Sequence, residues 1–102
     1  MKTKRLPPEA RETLLIDTVL KLAAKHGLAN LTRDQIADAA SVSPGLVSAR
    51  LGTMVAMRRT VMRQAVARGD VKVVAQGIAM RDPHALKAPP ELRQKAADLM
   101  RA

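Results

Sequence analysis

Apolar residues recur along this chain with the period of a helix, and caps, glycines and prolines cut them into short segments. Leu15, Val19, Leu22, Ala23 and His26 share one face of a helix predicted over about 9–26. "PPEARE" opens it, since proline loses no hydrogen bond in a first turn and Glu9 and Glu12 suit the positive end of the helix dipole. Gly27 is the expected stop, with Leu28 folding back over the last turn. In "LTRDQIADAA", Thr32 and Gln35 have the spacing of a capping box, and a helix over about 33–40 turns Ile36, Ala37 and Ala40 inward. "SVS" reads as a three-residue turn. Ser43 is a good N-cap with Pro44 at the first helical position, and Val47 and Leu51 point inward from a helix over about 44–51. Thr53 caps a fourth helix, about 54–68, whose inward face includes Val55, Met62, Ala65 and Val66 and which Gly69 closes. Val71, Val74, Ala75 and Ile78 predict a fifth helix over about 70–80. "RDPHALKAPP" reads as a connection rich in breakers, after which "PPELRQKAADLMRA" sets Leu92, Ala96, Leu99 and Met100 on one face of a last helix. The fold class expected is all-α. The only β-like run, "VKVV", is too short to pair.

Composition narrows the chemistry. With no Phe, Tyr or Trp among 102 residues, the core must be aliphatic, and at this length it is one small domain that association with a second copy would steady. No cysteine is present, so disulfides and thiolate metal sites are excluded. No run approaches the roughly 18 apolar residues of a membrane span, and nothing resembles a targeting segment; a cytoplasmic, nucleoid-associated location is expected. No nucleophile–base pair, phosphate-cradling glycine loop or metal cluster is visible, so neither enzyme chemistry nor a cofactor nor a metal is expected. His26 and His84 lie too far apart in sequence to suggest a shared metal, and His84 falls in the connection.

The net charge is +9, and its distribution says more than its size. Residues 39–69 carry Arg50, Arg58, Arg59, Arg63 and Arg68 with no acid, whereas the segments on either side each net +2. A basic middle of this kind suits a polyanion, or serves as a solvated face. The absence of aromatic side chains disfavours single-stranded nucleic acid, which is held by stacking.

Helix, three-residue turn and short helix at 33–51 form a helix-turn-helix pattern. Ile36, Ala37, Val42 and Val47 supply the crossing contact, and the outer face of the second helix is free of acid, as entry into the major groove requires. A purely structural helical bundle is the alternative. Residues 14–68 resemble the DNA-binding domain of the tetracycline-repressor (TetR) family, through "KHG", "LTRDQIADAASVS" and "SPGLV". The resemblance implies a homodimer on a palindromic double-stranded operator, repressing transcription. By position it implies that Thr32 and Arg33 meet phosphate or a base edge. Ser43, Pro44, Gly45, Leu46, Ser48 and Arg50 would line the groove-facing side, and Thr53 and Met54 would lie near the backbone.

The chain departs from that family at informative positions. Ser41 stands where the family favours glycine, which implies a positive-φ cost. Ser48, Arg50 and Leu51 stand where it favours aromatics that hold phosphate, and Met54 where it often has lysine. Arg58 and Arg59 are candidates to replace the missing phosphate contacts. Arg50 is the foremost candidate for a base contact, with phosphate as the alternative. Only 33 residues follow Gly69, too few for a drug-sized pocket, so no small-molecule effector is expected.

Three segments are therefore predicted: a flexible basic arm over 1–8, a DNA-binding domain over 9–69, and a short helical dimerisation element over 70–102 using Val71, Val74, Ile78, Leu92, Leu99 and Met100. The same apolar residues alternatively pack on the chain's own helices. Lys2, Lys4 and Arg5 form either a minor-groove arm or a plain tail. Two other functions stay open: a nonspecific or architectural DNA binder, and an adaptor that binds protein through its C-terminal helices. A compact regulator of this kind suits a plasmid or phage.

Overall fold

The structure, a computed structural model, describes residues 8–101, so the expected basic arm lies outside the described residues apart from Pro8. The described chain is all-helical, with no strand. Its elements are α1 (Pro8–His26), a 3₁₀ turn (Leu28–Asn30), α2 (Arg33–Ala40), α3 (Pro44–Leu51), α4 (Met54–Arg68), α5 (Val71–Ala79), α6 (Pro83–Leu86) and α7 (Pro90–Arg101). No helix among the described residues is long and apolar enough to cross a membrane.

Local chemistry sets the helix ends. α1 stops at Gly27, whose φ of 88° a side chain would resist, and Gly27 N–H donates to Ala23 O at 2.9 Å. Leu28 then turns into the core, 1% exposed. The capping box at α2 is complete: Thr32 Oγ1 accepts from Gln35 N–H at 3.1 Å, and Gln35 Oε1 accepts from Thr32 N–H at 2.9 Å. Ser43 and Thr53 repeat the first half of that arrangement, accepting from Leu46 N–H and Ala56 N–H, each at 3.1 Å. Ser41 closes α2 in the left-handed region at φ 58°, the conformation that a glycine preference at this position implies. Asp70 and Asp82 cap α5 and α6.

One buried cluster joins all seven helices. It runs from Leu15, Ile16, Val19, Leu20 and Ala23 through Ile36, Ala37, Val47 and Leu51 to Met57, Val61, Met62 and Ala65. It continues into Val73, Val74 and Ala75, then Ala85, Leu92 and Ala96. No polar side chain among the described residues is buried with it. Gly77 makes the closest approach: a Cβ there would stand 2.6 Å from Ala85 Cβ and 2.7 Å from Met62 Sδ, so α4, α5 and α6 meet at a point where only hydrogen fits. Gln76 pins α5 to the end of α1, and an ion pair between Arg68 and Asp17 ties the end of α4 to α1.

Several sequence expectations are corrected by this packing. His26 is exposed, because the buried stripe of α1 ends at Ala23 and Leu28 covers the space beyond. Ile16 and Leu20 join the inward face instead. Val55 is 56% exposed, since the buried stripe of α4 runs through Met57, Val61, Met62 and Ala65, and a residue two before Met57 points the other way. Val66 and Ala40 are half-buried at the rim of the core. The breaker-rich connection contains α6, a short helix that the pattern did not suggest. On α7, Leu92 and Ala96 reach the core, whereas Leu99 and Met100, a turn or two further on, do not.

Candidate nucleic-acid interface

α2 and α3 are joined by residues 41–43 and pack on each other and on α1. Ile36, Ala37 and Val47 are buried at that contact and Val42 is half-buried beside them. With Val47 and Leu51 turned inward, α3 exposes Pro44, Gly45 and Ala49, while Leu46, Ser48 and Arg50 are half-buried flanks. Ala49 was missed in the sequence. The signal was there, one helical turn after Gly45 and off the Val47–Leu51 stripe. A Cβ at Gly45 would meet nothing nearer than Ser43 Oγ at 3.8 Å, so the start of α3 is open to close approach.

The cap hydroxyls Thr32, Ser43 and Thr53 are exposed. Ser43 and Thr53 accept from their own helices and keep a hydroxyl hydrogen to donate outward, whereas Thr32 Oγ1 donates its own to Gln35 Oε1 at 3.3 Å. Met54, next to Thr53, is half-buried against the core.

Charge divides this surface. Arg33, Arg50 and Arg58 are half-buried, and each has an Nε shielded from solvent without a hydrogen-bond partner. Arg59 and Arg63 are exposed. Among the described residues none of these five guanidiniums lies within ion-pair distance of a carboxylate; the two ion pairs present are Arg68–Asp17 and Arg101–Asp98. Arg68 is thereby removed from the free basic set that the sequence suggested. Asp34, Gln35 and Asp38 line an open groove with Ala37, Val42 and Pro44, and its two carboxylates repel a polyanion.

The six apolar residues assigned to association separate. Val74 is fully buried within the chain and Leu92 is 9% exposed, so neither is free to meet a second copy. Their side chains go to the chain's own core because α5 and α7 pack against each other. Val71 and Ile78 are half-buried, and Leu99 and Met100 are 42% and 50% exposed at the end of α7.

Compared with known proteins, the chain matches no family model, no curated protein and no solved structure.

Proposed function

We propose that the chain is a sequence-specific DNA-binding transcriptional repressor of the helix-turn-helix type, with α2 and α3 arranged as in the tetracycline-repressor family. The observation that carries this reading is the set of unpaired arginines, Arg33, Arg50, Arg58, Arg59 and Arg63, beside a hydroxyl-capped α3 whose outer face bears no acid. Guanidiniums without carboxylate partners are positioned to neutralise phosphates, and doing so releases counterions. Ser43, Gly45, Ser48 and Ala49 are the groove-facing surface, small enough for close approach to base edges and thymine methyls. Thr53, Arg58 and Arg59 hold the backbone from α4. A homodimer, joined through the exposed end of α7 at Leu99 and Met100, sets two copies of α3 on one face of a palindrome and blocks transcription.

Selecting binding sites from random duplex DNA with the purified protein at about 150 mM salt, near physiological ionic strength, tests this directly. An enriched inverted repeat is the expected result. A second reading, an architectural binder, is favoured by one observation: the exposed residues of α3, Pro44, Gly45 and Ala49, carry no polar side chain to read a base. Binding without an enriched motif would replace the first reading with this one, and no binding at all would exclude both.

A further inference from the structure

A cleft of about 280 Å³ opens where α6 meets the first half of α4, lined by Val55, Arg58 and Arg59 from α4 and by Asp82, Pro83 and His84. Resting on the DNA-binding reading above, we propose that this cleft seats a phosphodiester of the bound duplex and that His84, from the C-terminal segment, is a backbone-contacting residue alongside Arg58 and Arg59.

The fold creates this grouping: His84 follows Arg59 by 25 residues, and only the packing of α6 on α4 brings them to one cleft. Arg58 contributes a guanidinium whose Nε has no partner, and Arg59 one that is exposed. Asp82 is the single carboxylate in the lining. Its Oδ1 accepts from His84 N–H at 2.8 Å and Ala85 N–H at 3.2 Å, so it is committed to capping α6 and those amides are not offered to a ligand. Two arginines against one aspartate leave the cleft cationic with a neutral imidazole, and an imidazolium adds a further charge. Val55 and Pro83 give the cleft apolar walls, which strengthen an ionic contact there. α5, the other helix packed on α6, brings Lys72 as its one charged side chain, and neither it nor the exposed Arg81 and Lys87 flanking α6 lines the cleft.

Salt titration of duplex binding by the full chain tests this, comparing wild type with His84→Ala and His84→Arg by fluorescence anisotropy. The slope of log affinity against log salt is about −0.9 for each phosphate neutralised. His84→Ala should bind all duplexes more weakly than wild type, and His84→Arg, with a fixed charge in the cleft, should be steeper than His84→Ala by about one contact. Equal affinity of wild type and His84→Ala would overturn the role of His84 while leaving DNA binding intact. Failure of wild type to bind any duplex would overturn DNA binding and this site with it. Should His84→Ala unfold by circular dichroism, His84→Glu against wild type decides: weaker binding with a shallower slope supports the site, and no change overturns it.

Discussion

Gln76 Oε1 accepts the backbone N–H of Leu28 at 2.7 Å, while its Nε2 donates to Ala23 O at 2.8 Å, so one side chain from α5 closes the far end of α1. Leu28 N–H sits just past the end of α1 and has no helical partner of its own, whereas Ala23 O also accepts from Gly27 N–H at 2.9 Å. Gln76→Leu leaves the Leu28 N–H unpaired, while Ala23 O keeps its bond from Gly27. It should cost about 1–3 kcal/mol, the usual penalty for an orphaned polar group. Urea denaturation followed by circular dichroism checks this; an unchanged midpoint would show that water satisfies the Leu28 N–H.

Gly77 and Ala85 give a sharper test of the same region. In an open helix, glycine to alanine gains up to about 1 kcal/mol of propensity. Here the new Cβ would stand 2.6 Å from Ala85 Cβ, which cannot move unless α6 moves with it. Gly77→Ala should therefore destabilise by about 1–3 kcal/mol, the range for overpacking. Adding Ala85→Gly should recover part of the loss. A double-mutant cycle in urea measures that coupling, and simple additivity would mean the flexible Met62 side chain is the real obstacle.

At Ser41 the expected change is a gain. Its φ of 58° costs a residue with a Cβ about 1–2 kcal/mol, while glycine loosens the unfolded chain by about 0.4–1 kcal/mol. Ser41→Gly should thus stabilise by about 0.5 kcal/mol net. Thermal melting would reveal it, and a fall in Tm would mean that the serine hydroxyl compensates locally.

Ser41 also marks what the sequence makes legible. Helix ends depend on neighbours a few residues apart, so the caps Thr32, Ser43 and Thr53 and the stop at Gly69 all stand where local chemistry puts them. The inward face of α4 was less legible. With Val55, Met57, Val61, Met62 and Val66 spread around the helix, periodicity offers more than one candidate stripe. The choice is made by α5 and α6, through the close approach at Gly77 that no local pattern announces. The candidate site divides in the same way. Its hydroxyls and arginines are visible as a short acid-free run. The loss of Arg68 to Asp17 and the placing of His84 beside Arg58 depend on contacts between residues far apart in the chain.

The end of α7 should carry association. Leu99 and Met100 leave apolar surface open, whereas Val74 and Leu92 are spent on the core. Leu99→Asp should shift the protein toward monomer in analytical ultracentrifugation without lowering helicity. Half-site affinity should hold while affinity for the full palindrome falls. A dimer that persists would relocate the interface to Val71, Ile78 or another exposed face.

Arg50 decides how α3 divides its work. It stands in the last turn of α3, half-buried, with Nε turned away from solvent and unpaired. On the proposed reading α3 is the recognition helix, and such helices reach base edges mainly with their N-terminal residues, which here would be Ser43, Pro44 and Gly45. Arg50, at the other end, would then contact phosphate. Arg50→Ala should then weaken binding to all duplexes alike and reduce the salt slope by about one. Competition among single-base variants of the selected site separates the alternatives. If the mutant instead loses preference at one base pair per half-site, by about 1–3 kcal/mol, Arg50 reads guanine and the phosphate contacts fall to Arg58, Arg59 and Arg33.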